Sequence, residues 1–575
     1  MRNAYPCGWS AVIVAVAAAV ALGLASAAGP VLAAAPAPVE GQRGMVVTAQ
    51  HLASQVGLEV LKKGGNAVDA AVAVGYALAV TLPSAGNIGG GGFMLISLAD
   101  GRDIFINFRE KAPLAAHRDL YLDENGEVIP GASTDTYLGV GVPGTVMGLE
   151  YAREKYGTMS RQELMEPAIK LAREGFILVP GDDVLNPPLE AFRAEPNVAA
   201  IFLKDGEPYQ VGDRLVQTQL ANTLQLIADE GPDAFYKGPI AAAVVAASEA
   251  NGGILSLEDF AQYNVTEYEP VRCTYRGYEI ISSPPPSSGG TTICLILNIL
   301  EGYPMGELGW HSAQAVHYMV EAMRHAYVDR NTYLGDPEFV DNPLDRLLSK
   351  EYAALIREQI DPHRAARSED IAPGVPPHEG TNTTHYSIVD QWGNAVAVTY
   401  TINLSFGVKK IAGDTGFFLN NELDDFTAKP GVPNAFGLVQ GEANAVAPGK
   451  RPLSSMSPTI VKKDGKVFMV TGSPGGSRII TITLASIMNV IDYGMNVQEA
   501  IDAPRIHHQW LPDTVYLERF ALSPDTRRIL EEMGHNFTDS ATTWGVAEAI
   551  LVDPETGKLY GAHDSRRPAG SVAAY

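Results

Sequence analysis

Cysteine is scarce in this sequence. The 575 residues contain three cysteines, at positions 7, 273 and 294. Cys273 and Cys294 are 21 positions apart, and neither lies near a His/Asp arrangement typical of a thiol nucleophile. In an exported protein they form either one disulfide or two buried free thiols, and the sequence leaves both alternatives open.

Basic residues are also few. Lysine and arginine total 42 against 66 acidic residues, giving a formal net charge of −24. Sequence-independent binding to nucleic acid or to anionic membranes needs a basic surface, so this balance argues against both. With 46% apolar and 19% charged residues, the composition is that of a soluble enzyme and not of a disordered chain.

The first 39 residues have a single charge, at Arg2, and residues 11–28 are an Ala/Val/Leu run. Small-x-small sequences at 25–27 and 31–33 fit a cleavage site. Residues 1–33 are therefore predicted to be a signal peptide, and the mature protein to be periplasmic or secreted. The alternative is an uncleaved membrane anchor, and no later apolar run is long enough for a second span.

A nucleotide-binding loop is missing. The glycine-rich stretch "GNIGGGGFMLISL" at 86–98 lacks a Gly-Lys-Ser/Thr sequence and the Gly-x-Gly-x-x-Gly spacing. Its glycines are expected to let backbones pack closely, or to leave amide N–H groups free near a ligand.

The order of helix and strand patterns indicates an α+β fold. Helix patterns flank Gly64-Gly65-Asn66, and the second is apolar on all sides, which predicts a buried helix. Residues 143–262 read mostly as helices, and the part after Thr383 alternates strands with turns. Residues 364–382, first charged and then rich in Pro and Gly, are predicted to be a mobile tether. Runs of helix beside runs of strand favour layers over a regular βαβ sheet.

The tether ends at a predicted β-hairpin. Strands at 383–389 and 395–403 flank "DQWGN", a loop with Gly and Asn available for positive φ. A turn centred on Trp392 places Thr383 opposite Thr401 and His385 opposite Thr399. Alternation along the strands then gives one apolar face and one face of hydroxyls around Thr383.

Three interpretations of this hairpin remain open. In the first it is an ordinary hairpin with a threonine-rich face toward solvent, and in the other two it is the site of a hydroxyl nucleophile with one of two bases. A nucleophilic Thr383 needs a base, and His385 lies on the same face. The other base is the α-amine of Thr383 itself, which requires cleavage of the chain before that residue.

At these residues the sequence resembles the gamma-glutamyltransferase (gamma-glutamyltranspeptidase) family of N-terminal nucleophile hydrolases. The resemblance runs from about residue 42 to the C-terminus. Its motifs occur in family order: "TTHYSIVDQWGNAVAVTYTIN", "NNELDDF", "KPGVPNAFGLV", "RPLSSMSPTI", "TGSPGGSRII" and "APRIHHQW". It implies a four-layer αββα sandwich and self-cleavage between Asn382 and Thr383, giving a large subunit (34–382) and a small subunit (383–575).

The motif match implies roles for individual residues. Thr383 is the nucleophile, Thr401 orients it, and the N–H groups of Gly475 and Gly476 form the oxyanion hole. The glutamyl group is bound by a further set, with Arg109 gripping the α-carboxylate, Ser454 and Ser455 contacting it, and Asn403, Glu422 and Asp425 holding the α-carboxylate and α-amine.

The motif "KPGVPNAFGLV" resembles the family's lid loop over the pocket. Bacterial members often have a tyrosine where this chain has Phe436, and its hydroxyl can bond a group such as Asn403. Phenylalanine cannot, so closure here is expected to depend on packing alone. Position 422 varies between Glu and Gln in the family, so Glu422 decides little.

The implied activity is transfer of the γ-glutamyl group from glutathione or related compounds to water or to an amino acid or peptide. No metal or cofactor is expected, and His507-His508 is interpreted as structural. The nearest alternative is a cephalosporin (glutaryl) acylase of the same superfamily, whose substrate lacks the α-amino group and which usually lacks the lid. A second alternative is an inactive secreted binding homologue, expected to have lost Thr383, Thr401 or the Gly475-Gly476 pair.

Overall fold

The computed structural model describes residues 35–371, 383–435, 437–538 and 542–575. Residues 1–34, Asn382 and Phe436 lie outside this part, and with them the predicted signal peptide, most of the tether and the lid position singled out above. None of the described helices is long and apolar enough to cross a membrane.

Strands form two large antiparallel sheets and two short pairs. In chain order the described strands are β1 (Val39–Gly41), β2 (Met45–Thr48), β3 (Gly91–Ser97), β4 (Asp103–Phe108), β5 (Phe176–Ile177), β6 (Arg214–Leu215), β7 (Thr266–Tyr268), β8 (Val271–Tyr275), β9 (Tyr278–Ser282), β10 (Thr384–Val389), β11 (Ala395–Thr401), β12 (Thr459–Lys463), β13 (Lys466–Gly472), β14 (Ile506–His507), β15 (Tyr516–Leu517), β16 (Glu548–Val552), β17 (Leu559–His563) and β18 (Ser571–Ala574). The first sheet has the order β18-β2-β10-β11-β3-β4-β7, and the second has the order β1-β17-β16-β13-β12-β9-β8.

Helices fill the remaining two layers and the connections. The described helices are α1 (His51–Lys62), α2 (Ala67–Thr81), α3 (Ala132–Asp135), α4 (Thr145–Tyr156), α5 (Arg161–Glu174), α6 (Leu189–Ala194), α7 (Pro196–Phe202), α8 (Thr218–Glu230), α9 (Pro232–Tyr236), α10 (Pro239–Ala250), α11 (Leu257–Ala261), α12 (Gly289–Leu300), α13 (Met305–Leu308), α14 (Ala313–Tyr333), α15 (Leu344–Leu347), α16 (Lys350–Gln359), α17 (Ser368–Ile371), α18 (Ile479–Ile491), α19 (Val497–Asp502) and α20 (Pro524–Glu532).

Three apolar cores define the layers. One lies between the two sheets and includes Phe93, Ala397 and Val470. A second joins the other face of the first sheet to helices such as α2, and a third joins the second sheet to α12, α14 and α18. The predicted α+β fold with four αββα layers is confirmed.

Helix α2 shows why the N-terminal part packs as it does. All of its residues from Ala67 to Thr81 are buried, as its uniformly apolar sequence predicts. The helix begins at Asn66, whose side chain accepts from the N–H groups of Val68 and Asp69. The small side chains of α2 let the hairpin tyrosines Tyr386 and Tyr400 reach its backbone carbonyls.

The start of the predicted tether is not free. Ala365 N donates to Met533 O at 2.8 Å, and Ser368 N donates to Asp513 Oδ2 at 2.9 Å. Residues 368–371 form the short helix α17. The prediction of a mobile segment is therefore wrong for its first residues, because a distant carboxylate and carbonyl satisfy their backbone donors.

The two cysteines are joined. Cys273 on β8 and Cys294 on α12 form a disulfide with Cα atoms 5.8 Å apart. Of the two alternatives that the sequence left open, the structure has the disulfide, which ties an edge strand of the second sheet to the helix packed on it.

Candidate active site

The hairpin β10–β11 has the predicted register. Thr384 pairs with Tyr400 and His385 with Thr399. This alignment brings Thr383 to Thr401, whose hydroxyls are 3.3 Å apart. Thr401 Oγ1 also accepts from Asn403 N at 2.8 Å, so a backbone group fixes the hydroxyl that faces Thr383.

The threonine face of the hairpin is buried. Thr399 is fully buried, Thr401 is 2% exposed and Thr383 is 6% exposed. A threonine-rich solvent face is thereby excluded. Gly90 contributes to this burial, because a Cβ atom there would lie 2.0 Å from Thr401 O. The glycine-rich stretch thus lets β3 and its preceding loop approach the hairpin backbone.

His385 is committed to other partners. Its ring nitrogens hydrogen-bond Thr399 Oγ1 at 2.8 Å and Ser387 Oγ at 3.1 Å. Complete burial lowers the pKa of His385 to about 3, so the ring is neutral. The histidine shares the face of the hairpin with Thr383, but it lies between other hydroxyls.

Arg109 lies at the end of β4 and is buried. Its guanidinium contacts Glu422 and donates to Asp425 Oδ2 at 2.5 Å, and its Nε donates to Pro452 O at 3.2 Å. Both carboxylates belong to a 3₁₀ turn, Glu422–Asp425. The "NNELDDF" motif therefore folds into a short turn that presents two acids to one arginine.

Three carboxyl groups lie around this guanidinium. The third, after Glu422 and Asp425, is that of Glu110, 3.7 Å from Arg109. Burial raises the pKa of Glu422 well above its usual range and that of Glu110 to about 7, although Arg109 opposes both shifts. One oxygen of Glu422 has no hydrogen-bond partner among the described residues. A cationic group bound beside Glu422 would lower its pKa again and give this oxygen a donor.

Ser454 and Ser455 present hydroxyls to the same pocket. Met456 N donates to Ser454 Oγ at 3.1 Å, and Arg330 Nη2 donates to Ser455 Oγ at 3.0 Å. Because each oxygen accepts a hydrogen bond, each O–H remains available to donate. Two adjacent hydroxyl donors of this kind suit an anionic group.

Gly475 and Gly476 lie between β13 and α18. Their φ angles are 141° and 57°, which favour glycine. Gly476 begins the 3₁₀ turn Gly476–Arg478 and lines the pocket with Thr383. Backbone N–H groups at such a turn are suited to stabilising an oxyanion.

These groups surround one small pocket. Of the residues predicted from the sequence, the lining includes Arg109, Thr383, Thr401, Asn403, Glu422, Asp425, Ser454, Ser455 and Gly476. Asn403 uses its side-chain amide to donate to Asn421 O at 2.9 Å.

Arg330 was not among the site residues predicted from the sequence. This residue lies on α14, is 1% exposed and lines the pocket. The sequence carried no clear signal for it, because the stretch "AMRHAYVDRN" also contains Arg324, His325 and Asp329. Its proximity to Ser455, 125 positions away, is set by the packing of α14 against α12.

The described part of the predicted lid loop is anchored at both sides of Phe436. Ala435 N donates to Asp424 Oδ2 at 3.0 Å, and Gln509 Nε2 donates to Gly437 O at 3.2 Å. Gln509 also accepts from Ser477 Oγ at 2.6 Å. The loop is thus tied to the acidic turn on one side and to the glycine turn on the other.

His507 and His508 are buried and engaged with protein groups. His507 hydrogen-bonds Thr481 and Gln509, whereas His508 contacts Asp513 and accepts from Trp510 N. These contacts agree with the structural interpretation of the pair.

One group of described residues has the types of side chain that bind metals, namely His317, Glu321 and His535. His317 Nδ1 and His535 Nε2 hydrogen-bond directly at 2.9 Å, and the Arg324 cation lies 3.4 Å from Glu321. The three do not line the pocket. Direct histidine pairing beside an arginine fits a buried polar network better than a cation site.

Known proteins resemble this chain over nearly its whole length. The sequence profile of one family, described as Gamma-glutamyltranspeptidase, matches residues 53–574. The chain is 61% identical to a glutathione hydrolase proenzyme of Pseudomonas sp. (strain A14), covering 94% of this chain and 96% of the relative. It is 52% identical to a glutathione hydrolase proenzyme of Escherichia coli (strain K12), covering 94% and 93%.

The fold also matches a solved structure of a related enzyme. A cephalosporin acylase from Bacillus halodurans superposes with a TM-score of 0.80 at 28% identity, covering 95% of this chain and 99% of the acylase. Its sequence identity is about half that of the two glutathione hydrolase proenzymes, so the acylase is the more distant relative. With the hairpin, the glycine turn and these matches, the chain belongs to the gamma-glutamyltranspeptidase family of N-terminal nucleophile hydrolases.

Proposed function

We propose that this protein is a self-cleaving gamma-glutamyltransferase and glutathione hydrolase. The observation that supports it best is the Thr383–Thr401 hydroxyl pair at 3.3 Å, which faces a pocket lined by Arg109, the acidic turn and Gly476. The chain acts after export to the periplasm or the outside, once residues 1–33 have been removed.

Maturation requires one cut. The hydroxyl of Thr383 attacks the carbonyl carbon of Asn382, the N–H of Thr383 leaves as an amine, and water hydrolyses the resulting ester. The products are a large subunit, residues 34–382, and a small subunit, residues 383–575. They remain together because β10 of the small subunit pairs with β2 of the large subunit, and β11 pairs with β3.

Turnover uses the freed α-amine of Thr383 as the base. The amine takes the hydroxyl proton while Oγ bonds to the γ-carbonyl carbon of the donor. The N–H groups of Gly475 and Gly476 stabilise the oxyanion. The C–N bond then breaks, the protonated amine of Thr383 gives its proton to the leaving nitrogen, and a glutamyl ester remains on Thr383. Water or an acceptor amine attacks this ester in the second half of a ping-pong cycle.

The donor is held at its α-carbon. Arg109 and the hydroxyls of Ser454 and Ser455 bind the α-carboxylate, for which a planar guanidinium is suited. Glu422, Asp425 and Asn403 accept hydrogen bonds from the α-ammonium. The unpartnered oxygen of Glu422 supports this assignment, since a buried acceptor needs a donor.

The lid loop closes over the bound donor, with Phe436 contributing packing alone. No residue is assigned to a metal or cofactor, because the hydroxyl, the amine and the backbone N–H groups provide all the proton transfers and charge stabilisation of acyl transfer.

The acylase alternative predicts a different substrate. A glutaryl group has no α-ammonium, so among the described residues Glu422 and Asp425 would remain buried with Arg109 as their ion-pair partner. An inactive homologue is disfavoured because Thr383, Thr401, Gly475 and Gly476 are all present.

One assay tests the proposal. Purified protein is given a γ-glutamyl anilide, with and without glycylglycine as acceptor, and in parallel a glutaryl anilide. Release of aniline from the γ-glutamyl compound, faster with glycylglycine, is expected. Preference for the glutaryl compound would favour the acylase, and no turnover of either would favour a binding protein.

A further inference from the structure

Arg330 is a buried cation in the wall of the pocket. Its guanidinium is bonded by neutral groups: Nε donates to Ser288 Oγ at 2.9 Å, and Nη1 donates to Asn331 Oδ1 at 2.7 Å and to Gln440 Oε1 at 3.3 Å. Among the described residues no carboxylate forms an ion pair with it. Burial lowers the pKa of Arg330 to about 10, a shift that Tyr327 and Asp425 partly oppose, so it remains charged at neutral pH.

The charges of the pocket are distributed unevenly. Glu110, Glu422 and Asp425 all form ion pairs with Arg109. This arginine therefore already has three carboxyl groups around it before a donor arrives. Among the described lining residues Arg330 is the cation that forms no ion pair, and desolvated charges of this kind are costly unless a ligand compensates them.

The Nη2 atom of Arg330 donates to Ser455 Oγ at 3.0 Å. This bond uses the hydroxyl as an acceptor and leaves its O–H to donate. A hydroxyl bonded to a cation is a stronger donor, because chains of hydrogen bonds polarise one another. Ser288 contacts the Nε atom of the same guanidinium. Its Oγ accepts from Arg330 and donates to Ser454 O at 2.7 Å.

We propose that Arg330 is a positioning residue for the α-carboxylate of the donor. It fixes the Ser455 hydroxyl with its O–H toward the carboxylate, and its charge strengthens that hydroxyl as a donor. Arg330 thus acts through Ser455, not by direct contact with the reacting atoms. This inference rests on the proposed function and names a residue that selects its substrate class.

A substrate pair isolates this role. The γ-glutamyl anilide is compared with its α-carboxamide, in which a neutral amide replaces the α-carboxylate, and the ratio of their kcat/KM values is measured. In Arg330→Gln the ratio is expected to fall by roughly ten- to hundredfold, the range for a hydrogen bond to a charged group. Self-cleavage and kcat at saturating donor should change much less.

Matched variants separate positioning from general damage. Arg324→Lys changes another buried arginine of the same helix that does not line the pocket, and its ratio should equal that of the wild type. Arg330→Lys keeps the charge but cannot contact Ser288 and Ser455 at the same time. Its kcat/KM ratio for the two substrates should therefore be intermediate. Ser455→Ala should lower the ratio, and adding Arg330→Gln to it should have little further effect.

Each outcome has a distinct meaning. A wild-type enzyme inactive on both compounds contradicts the proposed function itself. An active wild type with an unchanged ratio in Arg330→Gln, or additive effects of Arg330→Gln and Ser455→Ala, overturns the positioning role alone. If Arg330→Gln does not fold, Arg330→Lys decides, and a wild-type ratio in that variant rejects the proposal.

Discussion

The hydroxyl oxygens of Thr383 and Thr401 lie 3.3 Å apart, at the open end of a hairpin whose turn is centred on Trp392, nine positions from each. Strand pairing alone creates this contact, because antiparallel partners on one face are neighbours. Both residues also lie against the pocket that contains Arg109 and Gly476. A nucleophile and the group that orients it are thus built into the register of one hairpin.

Cleavage before Thr383 is the first prediction. Mature protein should give two bands of roughly 38 and 21 kDa at about 110 Da per residue. N-terminal sequencing of the smaller band should begin at Thr383. Thr383→Ala lacks the attacking hydroxyl and should remain one chain. A smaller band that begins at any other residue would contradict the assignment.

Local patterns predicted the hairpin and failed at contacts that depend on distant packing. The period of two and the "DQWGN" turn fix the pairing of His385 with Thr399 without reference to the rest of the chain. The place of Arg330 could not be predicted in this way, because it depends on how α14 packs on α12. The same is true of Ser368, whose backbone is held by a carboxylate 145 positions away.

The motif match assigned Arg109 to a substrate carboxylate, but it gave no sign that three acids already surround this arginine. Sequence motifs identify residue types at a site, whereas the balance of buried charge depends on side chains from several elements. The disulfide is a similar case, since a spacing of 21 residues does not determine whether a strand and a helix bring two sulfurs together.

Loss of the Cys273–Cys294 disulfide should lower stability without abolishing activity. Closing a loop of this length contributes about 3 kcal/mol in the chain-entropy model. Cys273→Ser combined with Cys294→Ser should therefore show a lower thermal midpoint, measured by calorimetry. The kcat/KM of the folded enzyme should be unchanged, since neither residue lines the pocket. An unaltered midpoint would contradict a stabilising role.

Arg109→Ala should weaken donor binding. Removing one partner of a buried charged pair costs on the order of 2–5 kcal/mol, so KM should rise by about a hundredfold or more. Self-cleavage should still occur. Arg102→Ala is the matched control, because this arginine precedes the same strand but pairs with Asp100 at an exposed turn.

An unchanged KM in Arg109→Ala would refute its assignment to the α-carboxylate. Failure to self-cleave would instead indicate that Arg109 is structural, holding together the acids of the Glu422–Asp425 turn. Measuring maturation on gels and KM on the γ-glutamyl anilide distinguishes these two results.

The pH dependence identifies the base. The α-amine of Thr383 must be neutral to accept a proton, and a free α-amine titrates at about 7.7–8.0. Arginines in the pocket lower this value, and the carboxylates raise it. We therefore expect kcat/KM for hydrolysis to rise with pH through a single group between about pH 6 and 8.5.

His385 provides the decisive variant. Burial lowers the pKa of His385 to about 3, so this neutral ring cannot cause a rise of kcat/KM with pH near neutrality. Both of its nitrogens are hydrogen-bonded, to Thr399 and Ser387. His385→Ala should self-cleave and keep the rise of kcat/KM with pH, although the buried cavity should lower the thermal midpoint. His385→Asn serves as the smaller change. If either variant self-cleaves but has a flat and nearly inactive profile, Thr383 relies on His385 as its base and the N-terminal amine does not.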